Sequence, residues 1–400
     1  MAKIVMDKIK INELLTRGVE EVIDFNHLKE KILGGNKLRI KLGIDPTSNV
    51  LHLGHSIPLR KLKQFQDLGH QIIFLIGDFT AKIGDPSGRV ASRPSLSDKQ
   101  IKENMKSYAK QASMILDMKK VEVRHNSEWY GKKKADFMMK LASMFTYGQL
   151  KARREFRDRM EKGIDITLEE ILYPLLQGYD SVELKADVEI GGTDQKFNLT
   201  MARRVQKKFK LPKQDIMTLS LLEGIDGERK MSKSYNNYIA LNESSEQMFA
   251  KIMAIPDSLI WRYFNLLTDI SLEEIEKMKK DQIALIGINN IKEILAFEIT
   301  KIYHGEKGAG SAREEFNKVF RQGELPQKIS EVRIDGETLN IIDLVLKTGL
   351  VPSSSEAKRL ISQNAVKVGE EIISDWRRVI KIENGLIIKI GPRKFIKIKK

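Results

Sequence analysis

The hydrophobic positions in the N-terminal part of the chain follow two kinds of pattern. Between Lys8 and Leu33 apolar residues recur near the helical period, which predicts a helix. A strand is predicted over Leu38–Asp45, a helix over His55–Gly69, and a buried strand over the continuous apolar run Ile72–Asp78. A strand, a helix and a strand in such close succession predict a βαβ unit of an open α/β sheet.

The pattern changes twice further along the chain. A second α/β segment is predicted from Thr167 to about Leu222, with a strand over Asp187–Ile190, and residues 271–320 read as wholly helical from a Ser271–Glu274 capping box. The last part has short apolar strands with many basic residues. These changes predict three domains in an α/β chain. They are a Rossmann-like parallel-sheet catalytic domain over 1–225, an α-helical domain over 226–330, and a small α+β domain over 331–400.

Composition narrows the class of protein. With 41% hydrophobic and 31% charged residues in 400, the chain is typical of a folded globular protein and not of a disordered one. A formal charge of +15 suits a polyanionic partner such as nucleic acid, although a lysine-rich composition would explain it equally well. The absence of cysteine excludes disulfides, thiolate zinc sites and thiol nucleophiles. Without a signal-peptide pattern or a long apolar run, we expect a cytoplasmic protein with no membrane partner.

The segment GIDPTSNVLHLGH, from Gly43 to His55, places two histidines at a predicted helix start after a strand. Helix N-termini attract phosphate through free N–H groups and the positive end of the helix dipole. His52 and His55 can donate hydrogen bonds to phosphate oxygens, and Gly54 leaves room for a flat adenine. As a bare pattern, His-x-x-His would equally fit a metal site or no site, but its place in a βα turn favours a nucleotide.

A second motif, GERKMSKSYNN, contains Lys230 and Lys233 in a loop rich in glycine and serine. Two lysines three residues apart in such a loop can form a mobile cationic clamp for phosphate. By itself, a KxxK pattern is more often a solvated surface loop.

A third stretch, ILYPLLQGYDSVEL, has Tyr173, Gln177 and Asp180 at positions i, i+4 and i+7. A helix that begins at a Thr167–Glu170 capping box would place all three on one face, approximately so because Pro174 should kink it. Polar groups on such a face are costly unless they meet a ligand. An ordinary surface helix with a hydrogen-bonded tyrosine is the alternative.

The first two motifs together match the HIGH and KMSKS signatures of class I aminoacyl-tRNA synthetases. The stretch ILYPLLQGYDSVELKADVEIGGTDQKFN resembles the tyrosine pocket of the bacterial tyrosyl-tRNA synthetases. The resemblance extends over essentially the whole chain, because YHGEKGA resembles the helical domain of that family and residues 344–375 resemble an RNA-binding domain shared with a small-subunit ribosomal protein. It implies activation of L-tyrosine by ATP with Mg²⁺, transfer to tRNA(Tyr), a homodimer, and no tightly bound cofactor.

The resemblance also implies roles for individual residues. Catalytic contacts with the phosphates are expected from Thr47, His52, His55, Arg89, Arg93, Lys230 and Lys233. The rest of the ATP site is expected from Gly43, Asp45, Gly54, Gly192, Asp194 and Gln195. Tyrosine is expected to contact Lys41, Asp85, Tyr173, Gln177, Asp180 and Gln195. Contacts with tRNA are expected from Lys358 and Arg359, and no residue is expected to hold a dedicated metal ion.

Lys41 departs from the pattern of the family. Many members have a tyrosine at this strand position, whereas a second bacterial branch is similar to this sequence there. Lys41 is expected either to donate to the phenolic oxygen of tyrosine or to pair with Asp180 when the pocket is empty.

Three other functions compete with this interpretation. A tryptophanyl-tRNA synthetase would have both phosphate motifs, but an indole N–H has no need of the Tyr173, Gln177 and Asp180 set. A synthetase-like RNA-binding protein without catalysis should have lost residues of the phosphate motifs, and these are intact. A nucleotidyltransferase with an HxGH turn would not explain the third stretch.

Overall fold

The computed structural model describes residues 4–87, 96–151, 153–321, 325, 329–391 and 394–400. The chain divides into two compact units, Met1–Ala309 and Gly310–Lys400. The helices of the described residues are α1 Lys8–Thr16, α2 Phe25–Leu33, α3 Leu53–Asp67, α4 Asp98–Ala112, α5 Ser127–Tyr130, α6 Ala135–Ser143, α7 Tyr147–Lys151, α8 Arg154–Glu161, α9 Leu168–Glu183, α10 Lys196–Lys208, α11 Ser245–Met253, α12 Ile260–Leu267, α13 Leu272–Lys277, α14 Ile283–Ile286, α15 Ile288–Phe320, α16 Ile341–Lys347 and α17 Ser354–Ser362. The strands are β1 Val19–Ile23, β2 Arg39–Ile44, β3 Gln71–Ile76, β4 Val121–His125, β5 Val188–Gly192, β6 Asp215–Leu219, β7 Glu331–Arg333, β8 Thr338–Asn340, β9 Val366–Val368, β10 Glu371–Ile373, β11 Val379–Lys381, β12 Ile387–Ile390 and β13 Lys394–Lys399. No helix in these ranges combines the length and the apolar character that a membrane span requires.

The first unit is built on a six-stranded sheet with the order β1-β6-β5-β2-β3-β4. Strands β6 to β4 are parallel, and β1 pairs antiparallel with β6 at one edge. The predicted α/β class and the parallel sheet are therefore confirmed. From β2 the chain continues to β3 on one side, and from β5 it continues to β6 on the other side. The loops after β2 and β5 therefore lead away from each other and leave a crevice, where ligands bind in open α/β sheets.

The predicted helix over Lys8–Leu33 is wrong. The chain forms α1, then β1, then α2, with Gly18 at a positive φ of 64° between the first two. Val19, Val22 and Ile23 fit a helical period, but β-branched residues also suit a strand. Here Val22 and Ile23 pair with Met217 and Ile216 of β6, an edge contact that local sequence does not reveal.

Helix α9 brings the third sequence motif to the sheet. Its predicted capping box is confirmed, because Thr167 Oγ1 accepts a hydrogen bond from the Glu170 amide at 3.3 Å and Glu170 accepts one from the Thr167 amide. Pro174 lies inside α9, which continues without interruption. Apolar side chains of α9 and α10 share a buried cluster with Ile73 and Leu75 of β3, so α9 is anchored over the parallel sheet.

Residues 271–320 are largely helical, as predicted, and Ser271 caps α13 by accepting from the Glu274 amide. Positive φ angles at Gly287 and Gly305 interrupt the run. The second unit contains a five-stranded sheet with the order β10-β9-β12-β13-β7 and the pair β11-β8 around an aliphatic core. The N-cap of its helix α17 is Ser353.

Candidate active site

One cavity of about 680 Å³ in the first unit is lined by residues that follow β2 and β5 and by one face of α9. It brings together most of the predicted site residues. These are Lys41, Gly43, Asp45, Thr47, His52, Gly54, His55, Asp85, Tyr173, Gln177, Asp180, Gly192, Asp194, Gln195 and Lys230. Lys233 does not line this cavity, Lys358 and Arg359 belong to the second unit, and Arg89 and Arg93 lie outside the described residues.

The two histidines stand at the start of α3. The His52 amide donates to His55 Nδ1 at 3.3 Å, so a neutral His55 must have its proton on Nε2. The ring centroids are 3.9 Å apart, and a Cβ on Gly54 would lie 3.1 Å from His52 ring atoms. Burial lowers the pKa of His52 to about 2 and that of His55 to about 4. Both rings are therefore neutral hydrogen-bonding groups at physiological pH.

The lysines of the second motif lie close enough to these histidines to act on them electrostatically. Burial comes first among the causes that lower the two histidine pKa values, and the positive charges of Lys230 and Lys233 lower them further. Lys230 Nζ lies 3.0 Å from Asp194 Oδ2, at the rim of the cavity. A Cβ on Gly192 would lie 2.7 Å from Asp194 Oδ1, so a side chain there would push this carboxylate aside. The result is a cationic end of the cavity with one carboxylate at its side.

Asp45 and Tyr173 form the middle of the cavity. The Tyr173 hydroxyl donates to Asp45 Oδ2 at 2.9 Å, and Thr80 Oγ1 donates to Asp45 Oδ1 at 2.8 Å. Burial, followed by the nearby Asp45 carboxylate, raises the pKa of Tyr173 well above its ordinary range, so the hydroxyl stays protonated. A Cβ on Gly77 would lie 2.2 Å from Asp45 Oδ1, so a side chain there would displace this carboxylate.

Asp85 is held by several donors. Gln195 Nε2 donates to its Oδ2 at 2.6 Å, and the Ser87 amide and hydroxyl donate to Oδ1 at 2.9 and 2.8 Å. Arg153, which is fully buried, approaches the same carboxylate to 3.7 Å and also donates to Ser87. Asn198 donates to Asp85 at 3.3 Å. Sequence reasoning missed both residues, although Asn198 ends the stretch that resembles the tyrosine pocket; Arg153 lies outside every motif.

Asp180 closes the far end of the cavity. Trp129 Nε1 donates to it at 3.0 Å and Asn126 Nδ2 at 3.4 Å. Burial raises the pKa of Asp180 to about 7, although the charge of Lys41 and the two donors lower it. Sequence reasoning also missed Trp129 and Asn126. They directly follow β4, and their place at the carboxyl end of a sheet strand was the signal that could have identified them.

Lys41 pairs with a residue that the sequence did not suggest. Its ammonium lies 2.9 Å from Glu189 Oε1 and donates to Ser181 Oγ at 2.8 Å and to the Gln177 carbonyl at 3.1 Å. The expected ion pair with Asp180 is therefore wrong. Glu189 is the one charged residue of β5, and Lys41 stands between the apolar Ile40 and Leu42 of β2, which was a signal that the two charges pair.

The cavity is thus divided by charge. Carboxylates and polar groups at one end can recognise an ammonium group and a hydroxyl group that donates a hydrogen bond. Neutral imidazoles at a helix N-terminus and nearby lysines at the other end can bind phosphates. A molecule with an ammonium, a hydroxyl and a carboxylate would have its carboxylate between the two ends, beside a bound nucleotide.

Comparisons with known proteins show the family of this chain. The family model of class I tRNA synthetases for tryptophan and tyrosine matches residues 34–321. A tyrosine–tRNA ligase of Thermotoga maritima is 45% identical over 96% of this chain and 96% of its own length. One of Carboxydothermus hydrogenoformans is 45% identical over 96% and 97%. Among solved structures, a truncated Aspergillus nidulans mitochondrial tyrosyl-tRNA synthetase aligns with a TM-score of 0.67 at 23% identity over 78% of this chain and 95% of its own, a likeness of fold alone.

Proposed function

Since this chain belongs to the tyrosine–tRNA ligase family of the class I tRNA synthetases, we propose that its cavity binds tyrosine at the Asp180 end and ATP, with its magnesium, at the histidine end. The reaction is the ATP-dependent ligation of L-tyrosine to tRNA. The observation that carries the proposed arrangement is the charge division of one cavity, with Asp180 and Asp85 at one end and His52, His55 and Lys230 at the other.

In the first step, the tyrosine carboxylate attacks the α-phosphate of ATP and releases pyrophosphate, which leaves tyrosyl-adenylate. This step needs no nucleophile from the protein, because positioning and the stabilisation of negative charge lower its barrier. Thr47, His52 and His55 would contact the phosphates. Lys230 and Lys233 would follow the negative charge onto the leaving pyrophosphate, with Arg89 and Arg93 completing the clamp.

Lys230 must exchange one partner for another during this step. Its ion pair with Asp194 is partly exposed, and such pairs contribute little to stability, so a phosphate can displace the carboxylate. Asp194 would then be free to accept hydrogen bonds from the two ribose hydroxyls. Gly43, Asp45, Gly54, Gly192 and Gln195 would complete the adenosine site.

At the other end, Asp85, Tyr173 and Gln177 would surround the tyrosine ammonium, with Gln195 beside them. Asp180 would accept the hydrogen bond of the phenolic hydroxyl. Phenylalanine offers no such donor, so its binding would leave a buried carboxylate without its partner, which is strongly unfavourable. An indole N–H could make this contact as well, as that of Trp129 does, so the tyrosine–tRNA ligases among the relatives, and not this contact, argue against the tryptophan-specific alternative.

In the second step, the terminal ribose of tRNA(Tyr) takes the tyrosyl group from the adenylate. We propose that the helical region over 226–330 and the domain over 331–400 bind the tRNA. The domain over 1–225 contains the tyrosine and ATP sites. The proposed contacts in the last domain are Lys358 and Arg359 of α17, because their positive charges can meet RNA phosphates.

We also propose a cytoplasmic homodimer. Exposed large apolar side chains on α6, α7 and α9 are suited to a protein interface. They are Met139, Tyr147 and Leu168, which expose 71%, 59% and 79% of their surface. Sedimentation of the full chain would test this state.

Amino-acid-dependent exchange of pyrophosphate into ATP tests the function directly. Tyrosine, phenylalanine and tryptophan would be compared at equal concentration with magnesium, and a reaction without amino acid serves as the control. We expect exchange with tyrosine alone. Exchange with tryptophan alone would move the function to the tryptophanyl enzyme. Failure with all three amino acids, from folded protein, would favour the RNA-binding alternative.

A further inference from the structure

A buried ion pair lies beneath the tyrosine end of the cavity. Lys41 of β2 and Glu189 of β5 are direct neighbours in the parallel ladder, and their side chains expose 0% and 1% of their surface. Two charges in a protein core are unfavourable unless each is fully hydrogen-bonded. Nothing in the chemistry proposed above requires them, so their presence needs an explanation.

Every hydrogen-bonding position of this pair is used. The three N–H donors of Lys41 go to Glu189, Ser181 Oγ and the Gln177 carbonyl, which equals the capacity of an ammonium group. None remains for the phenolic oxygen of a substrate. On Glu189, Oε1 accepts from Lys41 and from Gln177 Nε2 at 3.3 Å, and Oε2 accepts from Ser181 at 3.1 Å and from Gln214 Nε2.

This arrangement determines which way the Gln177 amide faces. A carboxylate only accepts hydrogen bonds, so the amide nitrogen of Gln177 must be the atom that meets Glu189. Gln177 lines the cavity, and its Oε1 is then the amide atom left for a ligand. A carbonyl oxygen is an acceptor, which is what a protonated amine requires.

We infer that Glu189, neutralised by Lys41, is a positioning residue that presents Gln177 Oε1 to the ammonium group of the substrate. This inference rests on the proposed tyrosine site and extends it to residues that do not touch the substrate. The pair orients Gln177 without adding net charge to a cavity that already contains Asp85 and Asp180. Lys41 thereby contributes to recognition of the α-amino group rather than of the phenol.

A pair of ligands separates this role from a general loss of structure. L-Tyrosine has the ammonium group, and 3-(4-hydroxyphenyl)propionate lacks it but keeps the phenol and the carboxylate. For Glu189→Gln, we expect tyrosine to bind about 10- to 100-fold more weakly, the range for losing a hydrogen bond to a charged group. The analogue should bind within about twofold of wild type. Glu183→Gln, at the end of the helix α9 that carries Gln177 but outside the cavity lining, is the matched control and should change neither affinity.

A double-mutant cycle adds a second, independent criterion. If Glu189 acts through Gln177, Glu189→Gln should have no further effect on tyrosine binding in a Gln177→Met background. Additive losses, or equal losses for the two ligands, would overturn the inference. If Glu189→Gln does not fold, Ser181→Ala removes one link of the same network, and it should weaken tyrosine binding while sparing the analogue. A wild-type protein that binds no tyrosine would instead refute the proposed function.

Discussion

Replacement of Asp180 by asparagine should stabilise the unliganded protein at alkaline pH. Burial raises the pKa of this carboxyl from 3.8 to about 7 in the folded state. The folded protein therefore holds the proton more tightly than the unfolded chain does, and stability falls as pH rises from the lower to the higher of these two values. A difference of about 3 pKa units corresponds to about 4 kcal/mol once Asp180 is ionised in both states.

The same linkage gives the dependence on pH. At pH 5.5 the carboxyl would be ionised in the unfolded chain but not in the folded protein, and this difference lowers the free energy of unfolding by about 2 kcal/mol relative to low pH. A further decrease of about 2 kcal/mol should appear between pH 5.5 and pH 8. Asparagine has no such titration. It would lose the weak contact from Asn126, which is worth about 1 kcal/mol, so a net stabilisation of about 3 kcal/mol is expected at pH 8 and about 1 kcal/mol at pH 5.5.

Urea unfolding of wild type and Asp180→Asn at the two pH values measures this difference. The depressed pKa values of His52 and His55 give both proteins the opposite slope, because the unfolded chain gains protons below about pH 6.5, and this contribution cancels in the comparison. Asp335→Asn, at an exposed carboxylate, should change stability by less than about 0.5 kcal/mol at either pH. An Asp180→Asn effect that is equal at pH 5.5 and pH 8 would refute the reasoning.

Three further results are expected. Trp129→Phe removes the 3.0 Å donor to Asp180, so the KM for tyrosine should rise about tenfold. Loss of this donor also raises the pKa of Asp180, so the increase of KM at low pH should begin at a higher pH than in wild type. A pH series of KM would show this shift, and an unchanged profile would contradict it. Lys230→Ala and Lys233→Ala should each reduce the rate of adenylate formation by about 100-fold in single-turnover measurements, while equilibrium binding of tyrosine stays near wild type; equal loss of binding would exclude their role at the leaving pyrophosphate. A chain that ends near residue 330 should still exchange pyrophosphate but should not charge tRNA, and persistent charging would show that the last domain is dispensable.

Local sequence patterns correctly predicted the elements whose pattern fits one type of secondary structure. The continuous apolar run of β3 and the capping box at Thr167–Glu170 each lead to one structure, and the structure contains both. The segment Val19–Ile23 was mispredicted because its apolar positions are compatible with both a helix and a strand. Pairing with β6 makes it a strand. Such pairing depends on residues almost two hundred positions away, which a local window does not contain.

In the site, motifs identified most of the residues that line the cavity but not those that hold them in place. The HLGH and KMSKS segments and the third stretch supplied most of the residues that line the cavity. Trp129 and Arg153 lie outside the motifs, and Glu189 lies within the stretch that resembles the tyrosine pocket but had no predicted role. Each was found only through a contact with a predicted residue, since supporting residues are selected by geometry rather than by chemical type.

The sequence by itself determined the residue types of the site: two histidines at a helix start, two lysines in a loop, and a set of polar residues along one helix. The tertiary structure decided the pairing and the protonation of those groups. Asp180 meets Trp129 across 51 residues and Asp85 meets Gln195 across 110, and Lys41 is neutralised by Glu189 instead of by Asp180. The physical reason is that burial and short distances set pKa values and hydrogen-bond partners, and both arise only when distant segments pack together.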